Sequence, residues 1–527
     1  MLNEGRPAGQ AERRPFHWVL EFPEVFAGAP GSGPGGATEG RGFHAIVGNP
    51  PFIGGQRITG FLGTDYRDYA VQHLAGGTRG SADLCAYFFL RAGSMLRPAG
   101  QFGLIATNTI AQGDSREVGL DRLTGDGFAL PRAVASEKWP GTANLEVSKV
   151  WALRGRWSGR HVLNGSPVRA IGPFLTVPGR VEGKPYRLAA NAGKSFQGSI
   201  VLGMGFVLTP EEAADLIRRD PRNREVLFPY LNGEDLNSRP DQSPSRWVIN
   251  FFDWPLERAE TYPDCMAIVR EKVKPERDRN NRAQRRERWW QFAERAPALY
   301  EAIAGMEGVL VTSEVSKFIN IAPRPVGEVF SHMLIVFALD GVSDIALLQS
   351  SIHEAWCRTR GSTLETRFRY TPSDCFETFP FPAALTGLEA IGEAYHEHRR
   401  LLMLEHQEGL TKTYNRFHDP AEKRPDILRL RDLHVQMDQA VAAAYGWQDL
   451  PLGHGFHDTP QGLRYTLSEP ARREVLDRLL ELNHQRYAEE VAQGLHDKGK
   501  PKPGGGKGRK KNPPPREDEG GQLDLGL

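Results

Sequence analysis

The chain places Asn49, Pro50, Pro51 and Phe52 side by side, and those residue types in that order suggest one kind of chemistry. An exocyclic amine on an aromatic base is a poor nucleophile, because its lone pair is drawn into the ring. It improves when two acceptors hold its two hydrogens and force it towards a tetrahedral shape. Asn49 offers a side-chain amide oxygen as one acceptor. Pro50 offers a main-chain carbonyl as the other. Each proline fixes its own φ, so the turn is stiff before any substrate arrives. Phe52 adds a flat face on which a base swung out of a duplex could stack. The same four residues could also be a plain β-turn with prolines at sensible positions.

What distinguishes the two is the set of elements around the turn. Phe43-His44-Ala45-Ile46-Val47 reads as a strand running straight into Gly48-Asn49. Residues 83–96 read as a helix with Asp83 at its N-cap, ended by Pro98-Ala99-Gly100. Phe102-Gly103-Leu104-Ile105-Ala106-Thr107 reads as a short buried parallel strand, with another at residues 147–153. Alternation of strand and helix predicts a mostly parallel sheet covered on both faces. Open sheets of that kind place ligands at the carboxyl ends of their strands, where Asn49 falls. The glycine-rich stretch AGAPGSGPGGATEGRG before the first strand has no strand ahead of it and no helix behind it. It reads as a surface loop and not as a phosphate cradle.

Composition narrows the class. Hydrophobic content of 39% and charged content of 25% predict a globular, cytoplasmic protein. No apolar run approaches the roughly 20 residues that span a bilayer. The four cysteines, Cys85, Cys265, Cys357 and Cys375, form no CxxC pair, which argues against zinc and against a disulfide framework. A net charge of +1 leaves nucleic-acid binding to local patches. One such patch is residues 270–288, with nine Arg or Lys against four Asp or Glu, followed by Trp289-Trp290. Arg282, Arg285, Arg286 and Arg288 are its candidate phosphate contacts. A solvated, salt-bridged helix would look the same.

Gly48-Asn49-Pro50-Pro51-Phe52 after an apolar strand resembles the fourth conserved motif of amino-methyltransferases that act on DNA. Asn at its first position implies adenine N6. The context from Phe16-His17-Trp18 through Phe22-Pro23-Glu24-Val25-Phe26 is similar to the methylases of type IIG and type IIL restriction systems and of BREX and DISARM phage defence. Ser81-Ala82-Asp83-Leu84 resembles their fifth motif, Gly103 to Asn108 the sixth, and Ser136 to Gly141 with Val147 to Val150 the eighth.

The resemblance implies a partial doubly wound, Rossmann-like α/β methyltransferase sheet with the catalytic half at residues 1–170. It implies a mixed target-recognition domain at 171–382, bounded by Ser195 to Ser199 and Arg369 to Ser373, and a helical domain at 383–497. It also implies S-adenosylmethionine as cofactor, with Asn49 and Asp83 near it, and Trp139 on the far face of a flipped base. Asp83 as an N-cap and Trp139 as a loop anchor remain the plainer alternatives. The reaction so implied is in-line methyl transfer to adenine in double-stranded DNA, with no metal.

The chain departs from that pattern in one respect. The Gly-containing loop and the acidic residue that hold the cofactor in the family are not found in the 48 residues before the motif. The expectation is a split or truncated enzyme needing a separate chain for that half. The competing expectation is an inert DNA-binding specificity subunit. Residues 498–527 are a low-complexity tail expected to be disordered. Its end, Gln522-Leu523-Asp524-Leu525-Gly526-Leu527, resembles a peptide that docks on the bacterial sliding clamp.

Overall fold

A computed structural model describes residues 16–26, 41–78, 81–140, 145–179, 181, 183–364 and 367–496. The glycine-rich stretch at 27–40 and the tail with its 522–527 peptide lie outside the described residues. The chain divides into two units, one up to Pro178 and one from Gly179 to Asp497.

The first unit is built on β1 (Phe43–Gly48), α1 (Leu84–Met95), β2 (Leu96–Thr107), β3 (Phe128–Lys138), β4 (Glu146–Arg154), β5 (His161–Leu163) and β6 (Ser166–Val168). Its six strands lie in the order β1-β2-β4-β3-β5-β6. β1 runs parallel to β2, with Ala45 opposite Gln101 and Gly48 opposite Leu104. β2 is antiparallel to β4, and β4 to β3. The expected mostly parallel sheet is therefore a mixed one. β3, which the apolar pattern did not single out, is followed within a few residues by β4, too short a connection for a parallel crossover, so β4 reverses direction beside β3.

The apolar positions of α1 explain its seat. Leu84, Cys85, Ala86, Phe89, Leu90, Ala92 and Met95 are buried, and the Phe89 ring meets Phe102 of β2 edge-on at 5.4 Å. α1 hands over to β2 at Leu96 with no loop, so the strand starts six residues before the expected Phe102. Pro98-Ala99-Gly100 forms an irregularity in the strand instead, where the β1–β2 register slips and Ala99 takes φ of 60°.

Among the described residues β1 is an edge strand. His44, Ala45 and Val47 are exposed along it, Val47 at 88%. An apolar parallel strand normally needs neighbours on both sides and cover on both faces.

The second unit holds two four-stranded sheets. One has the order β13-β9-β10-β8, from Val329–Phe330, Leu227–Leu231, Arg246–Ile249 and Val207–Leu208. The other has the order β12-β11-β14-β7, from Ala322–Pro325, Gly308–Ser313, Leu334–Phe337 and Ser195–Gln197. Helices α2 (Val342–Gln349), α3 (Ser351–Arg360), α4 (Glu389–His406), α5 (Pro425–Ala444) and α6 (Glu469–Ala492) pack beside them. The expected amphipathic stretches at 426–445 and 471–491 correspond to α5 and α6. A hairpin of Gly455–Thr459 and Gly462–Thr466 separates them.

The helical region and the sheets share one core, in which Val309, Val336, Trp356, Tyr395, Met437 and Leu479 are all buried. Polar bonds tie the same parts together. Asn483 of α6 accepts the Tyr186 N–H at 2.8 Å and donates to the carbonyls of Tyr186 and Thr378, at 2.8 and 2.7 Å. Arg399 of α4, only 1% exposed, donates to Gln349 Oε1 at 3.0 Å and to the Ile321 carbonyl at 2.6 Å. A buried cation satisfied this way is costly to disturb, since its bonds cannot be replaced by water.

Candidate active site

Asn49 leaves β1 at its carboxyl end, and its exposed amide makes no hydrogen bond among the described residues. Pro50 is buried and Pro51 exposed. No main-chain hydrogen bond among the described residues reaches the Pro50 carbonyl, whereas the Pro51 carbonyl accepts the Ile53 N–H at 3.2 Å. The turn thus leaves an amide oxygen and a main-chain carbonyl unspent.

The segment after the turn is held at both ends. The Leu84 N–H donates to the Ile53 carbonyl at 2.9 Å, and the Gly55 N–H donates to Asp83 Oδ1 at 3.2 Å. A Cβ on Gly55 would lie 2.1 Å from the Ser81 carbonyl oxygen, so only glycine lets the two backbones approach this closely.

Asp83 sits at the N-cap of α1, as the sequence suggested, but its side chain makes no capping bond. Its carboxylate turns across the fold instead. Oδ2 accepts from Thr107 Oγ1 at 3.0 Å and Thr109 Oγ1 at 2.6 Å. The Asp83 N–H donates to Ser115 Oγ at 2.9 Å. Beside it, burial in the first place and the Asp83 carboxylate in the second push the Cys85 thiol up to about 12. A thiol so held stays protonated and is not a nucleophile at neutral pH.

Phe52 and Trp139 come together, although 87 positions separate them. Their rings meet edge-on, with centroids 6.1 Å apart and planes at 88°. A base sandwiched between two rings needs parallel planes roughly 7 Å apart, twice a stacking contact of about 3.5 Å. One ring must therefore turn before a base can lie between them.

The hairpin end that carries Trp139 is tied to the end of β2. The Trp139 N–H donates to the Leu145 carbonyl at 2.8 Å. Glu146 Oε2 accepts from Ser136 Oγ at 2.5 Å and from Asn108 Nδ2 at 3.1 Å. Lys149 and Glu137 pair alongside. Sequence reasoning did not single out Glu146; its placement follows from the pairing of Thr107 with Val147, which no local pattern announces.

The basic patch lies in the second unit. Arg282, Arg286 and Arg288 are exposed and Arg285 is half-buried. Arg286 donates to the carbonyls of Asn280 and Asn281, at 2.6 and 3.0 Å. None of the four arginines forms an ion pair among the described residues, whereas Arg270 and Lys274 earlier in the same segment pair with Glu260 and Asp278, at 2.5 and 2.7 Å. Partial burial, then the neighbouring Arg282, holds the Arg285 guanidinium below its ordinary value. The Glu294 carboxylate acts the other way on Arg285.

The adjoining aromatics do not share that surface. Trp289 and Trp290 are buried at 7% and 9% exposure, and Trp290 Nε1 donates to the Trp254 carbonyl at 2.9 Å. Both tryptophans belong to a buried core, and the Trp289 ring lies under Arg270 and Lys274 of the same segment, at 6.0 and 5.9 Å.

Among the described residues no group of three His, Cys, Asp or Glu could hold a metal ion. No described helix is long and apolar enough to cross a membrane.

Residues 2–123 match the family model of the Eco57I restriction-modification methylase, and residues 191–383 match that of the MmeI target recognition domain. DNA methyltransferase A of Bacillus subtilis (strain 168) is 21% identical over 429 residues, covering 76% of this chain and 45% of that protein. The solved structure of the type IIL restriction-modification enzyme MmeI in complex with DNA superposes with a TM-score of 0.63 at 20% identity. That match covers 84% of this chain and 57% of the MmeI chain. The chain therefore spans about half the length of these relatives. It joins a restriction-modification methylase region of the Eco57I kind to a target recognition domain of the MmeI kind, on a fold shared with a type IIL enzyme.

Proposed function

We propose that this chain is the amine-activating and DNA-recognising part of a site-specific DNA adenine-N6 methyltransferase. The observation that carries the reading is the Asn49 turn. An exposed amide and a Pro50 carbonyl, both without a hydrogen-bond partner among the described residues, stand at the carboxyl end of a parallel strand, with Phe52 and Trp139 beside them. Asn49 Oδ1 and the Pro50 carbonyl would each accept one hydrogen of the adenine N6 amine, raising the electron density on nitrogen. Phe52 would stack on the flipped base, and Trp139 would turn to cover its other face.

S-adenosylmethionine, when bound, supplies the methyl group. The residues present fit one side of such a site. Asn49 would orient the amine, whereas two or three of roughly four acceptor positions on Asp83 are already taken by protein donors. The remaining cofactor contacts would come from polypeptide outside the described residues, on this chain or another, pairing along the free edge of β1. The exposed Val47 supports that arrangement. Arg282, Arg285, Arg286 and Arg288 would track phosphates of double-stranded DNA, as the DNA complex of MmeI makes a reasonable precedent.

The test is transfer of labelled methyl from S-adenosylmethionine to bacterial DNA lacking adenine methylation, followed by nucleoside analysis. N6-methyladenine is expected as the product. Asn49→Ala should lower turnover at least about a hundredfold with DNA affinity unchanged, because it removes a contact that matters in the transition state. N4-methylcytosine as product, or full turnover in Asn49→Ala, would refute the assignment. DNA binding with no transfer in any assembly would favour an inert specificity subunit, a reading that the open edge of β1 also suits.

A further inference from the structure

We propose that Asp83 is a positioning residue for the Asn49 turn, an inference that rests on reading that turn as the amine-binding site. The case is one of placement. A single carboxylate joins the segment after the turn, through Gly55, to the end of β2, through Thr107, and to the loop beyond it, through Thr109. Its own N–H reaches a fourth piece of chain at Ser115. Thr107 Oγ1 and Thr109 Oγ1 are also 2.6 Å apart; with one proton each, the two hydroxyls can make two of these three contacts as hydrogen bonds at a time.

The hold reaches the turn because little between them can flex. The Ile53 carbonyl and the Gly55 N–H are both bonded, to Leu84 N–H and Asp83 Oδ1. Gly55 is packed against the Ser81 backbone with no room for a side chain. Of the four residues from Asn49 to Phe52, two are prolines with fixed φ. Asp83 thus sets where the Asn49 amide and the Pro50 carbonyl point. Misplacing reacting groups by about 1 Å costs on the order of a hundredfold in rate.

A cofactor contact by Asp83 makes a different demand. It would use an acceptor position that the protein donors leave on the carboxylate, and its loss would appear in the affinity for the cofactor. The two roles therefore separate in a kcat-against-KM split and in a measurement that needs no transfer at all.

In the methyl-transferring assembly, Asp83→Ala is expected to lower kcat about thirtyfold or more, with KM for S-adenosylmethionine within about twofold of the parent. In the full chain alone, hydrogen exchange of the amides of residues 52–57 should quicken about tenfold or more, because that segment loses one anchor. Asp83→Asn should recover most of the loss. Its amide oxygen keeps the Gly55 N–H, and its NH2 can donate to a Thr109 hydroxyl that turns to accept. Joint replacement Thr107→Val with Thr109→Val should reproduce the defect in part and add little to Asp83→Ala. It also serves as the test if Asp83→Ala fails to fold.

A raised KM for S-adenosylmethionine with kcat and exchange unchanged would overturn the proposal in favour of a cofactor contact. Parent-like kinetics and exchange would overturn it outright. If Asn49→Ala is itself fully active, the reading of the turn falls, and the exchange measurement alone then shows whether Asp83 holds that segment.

Discussion

β1 and β14 are both short apolar runs, Phe43-His44-Ala45-Ile46-Val47 and Leu334-Ile335-Val336-Phe337, yet they end in opposite surroundings. β14 lies between β11 and β7, and none of its four residues is more than 1% exposed. Among the described residues β1 has β2 on one side only, with Val47 at 88% exposure. An apolar strand left on an edge is an invitation to pairing, which native chains usually blunt with charge or proline. β1 carries neither within its five apolar-run residues. β14 is thus covered on both sides, whereas β1 presents an edge that suits a further strand.

The comparison can be broken most sharply by a charge in the covered strand. Val336→Asp puts an unpaired carboxylate at a fully buried position and should destabilise the second unit by at least about 3 kcal/mol in denaturant unfolding. A marginal loss would mean that β14 is no better covered than β1.

Acid should act on the second unit next. Burial, first, holds the His353 imidazole down to about 4 and that of His418 down to about 3. Both are neutral in the fold, while the unfolded chain takes up their protons below about pH 6.5. Stability from these two groups is therefore present above about pH 6.5 and is lost as pH falls towards their folded values. At pH 5 each should cost roughly 2 kcal/mol relative to pH 7. Replacing both with Gln, and measuring unfolding at pH 7 and pH 5, should flatten the dependence; an unaltered slope would assign it elsewhere.

In the first unit the effects should fall on function. Phe52→Ala is expected to weaken capture of the flipped base by roughly 1–3 kcal/mol, read from fluorescence of 2-aminopurine at the target position. Stability should hardly move, because Phe52 is only half-buried.

The smallest expected change in stability is at the open edge. Val47→Asp should alter unfolding of the chain by less than about 0.5 kcal/mol while abolishing methyl transfer in the complete assembly. A large loss of stability in the chain alone would show that β1 is already covered, and the contrast with β14 would disappear.

Much of this was legible in the residues themselves. The Asn49-Pro50-Pro51-Phe52 turn, the strand before it and the helix after Asp83 are local features. A run of apolar residues, two prolines with fixed φ and a cap position each act within a few residues, and the structure shows β1, the turn and α1 in that order. α5 and α6 were visible for the same reason, since helical periodicity is written into consecutive turns.

What only the tertiary structure decided are the pairings between distant parts of the chain. Asp83 reads as a helix cap until Gly55, Thr107 and Thr109 are brought around its carboxylate. Trp289 and Trp290 read as surface rings beside the arginines until a core encloses them. The direction of β3 and β4, the hold of Glu146 on the Trp139 hairpin and the exposure of β1 depend likewise on which strand lies beside which. Period and propensity describe how a segment curls and which side of it is apolar. They carry no information on its neighbour across the sheet, and it is the neighbour that decides whether a carboxylate caps a helix or pins a turn.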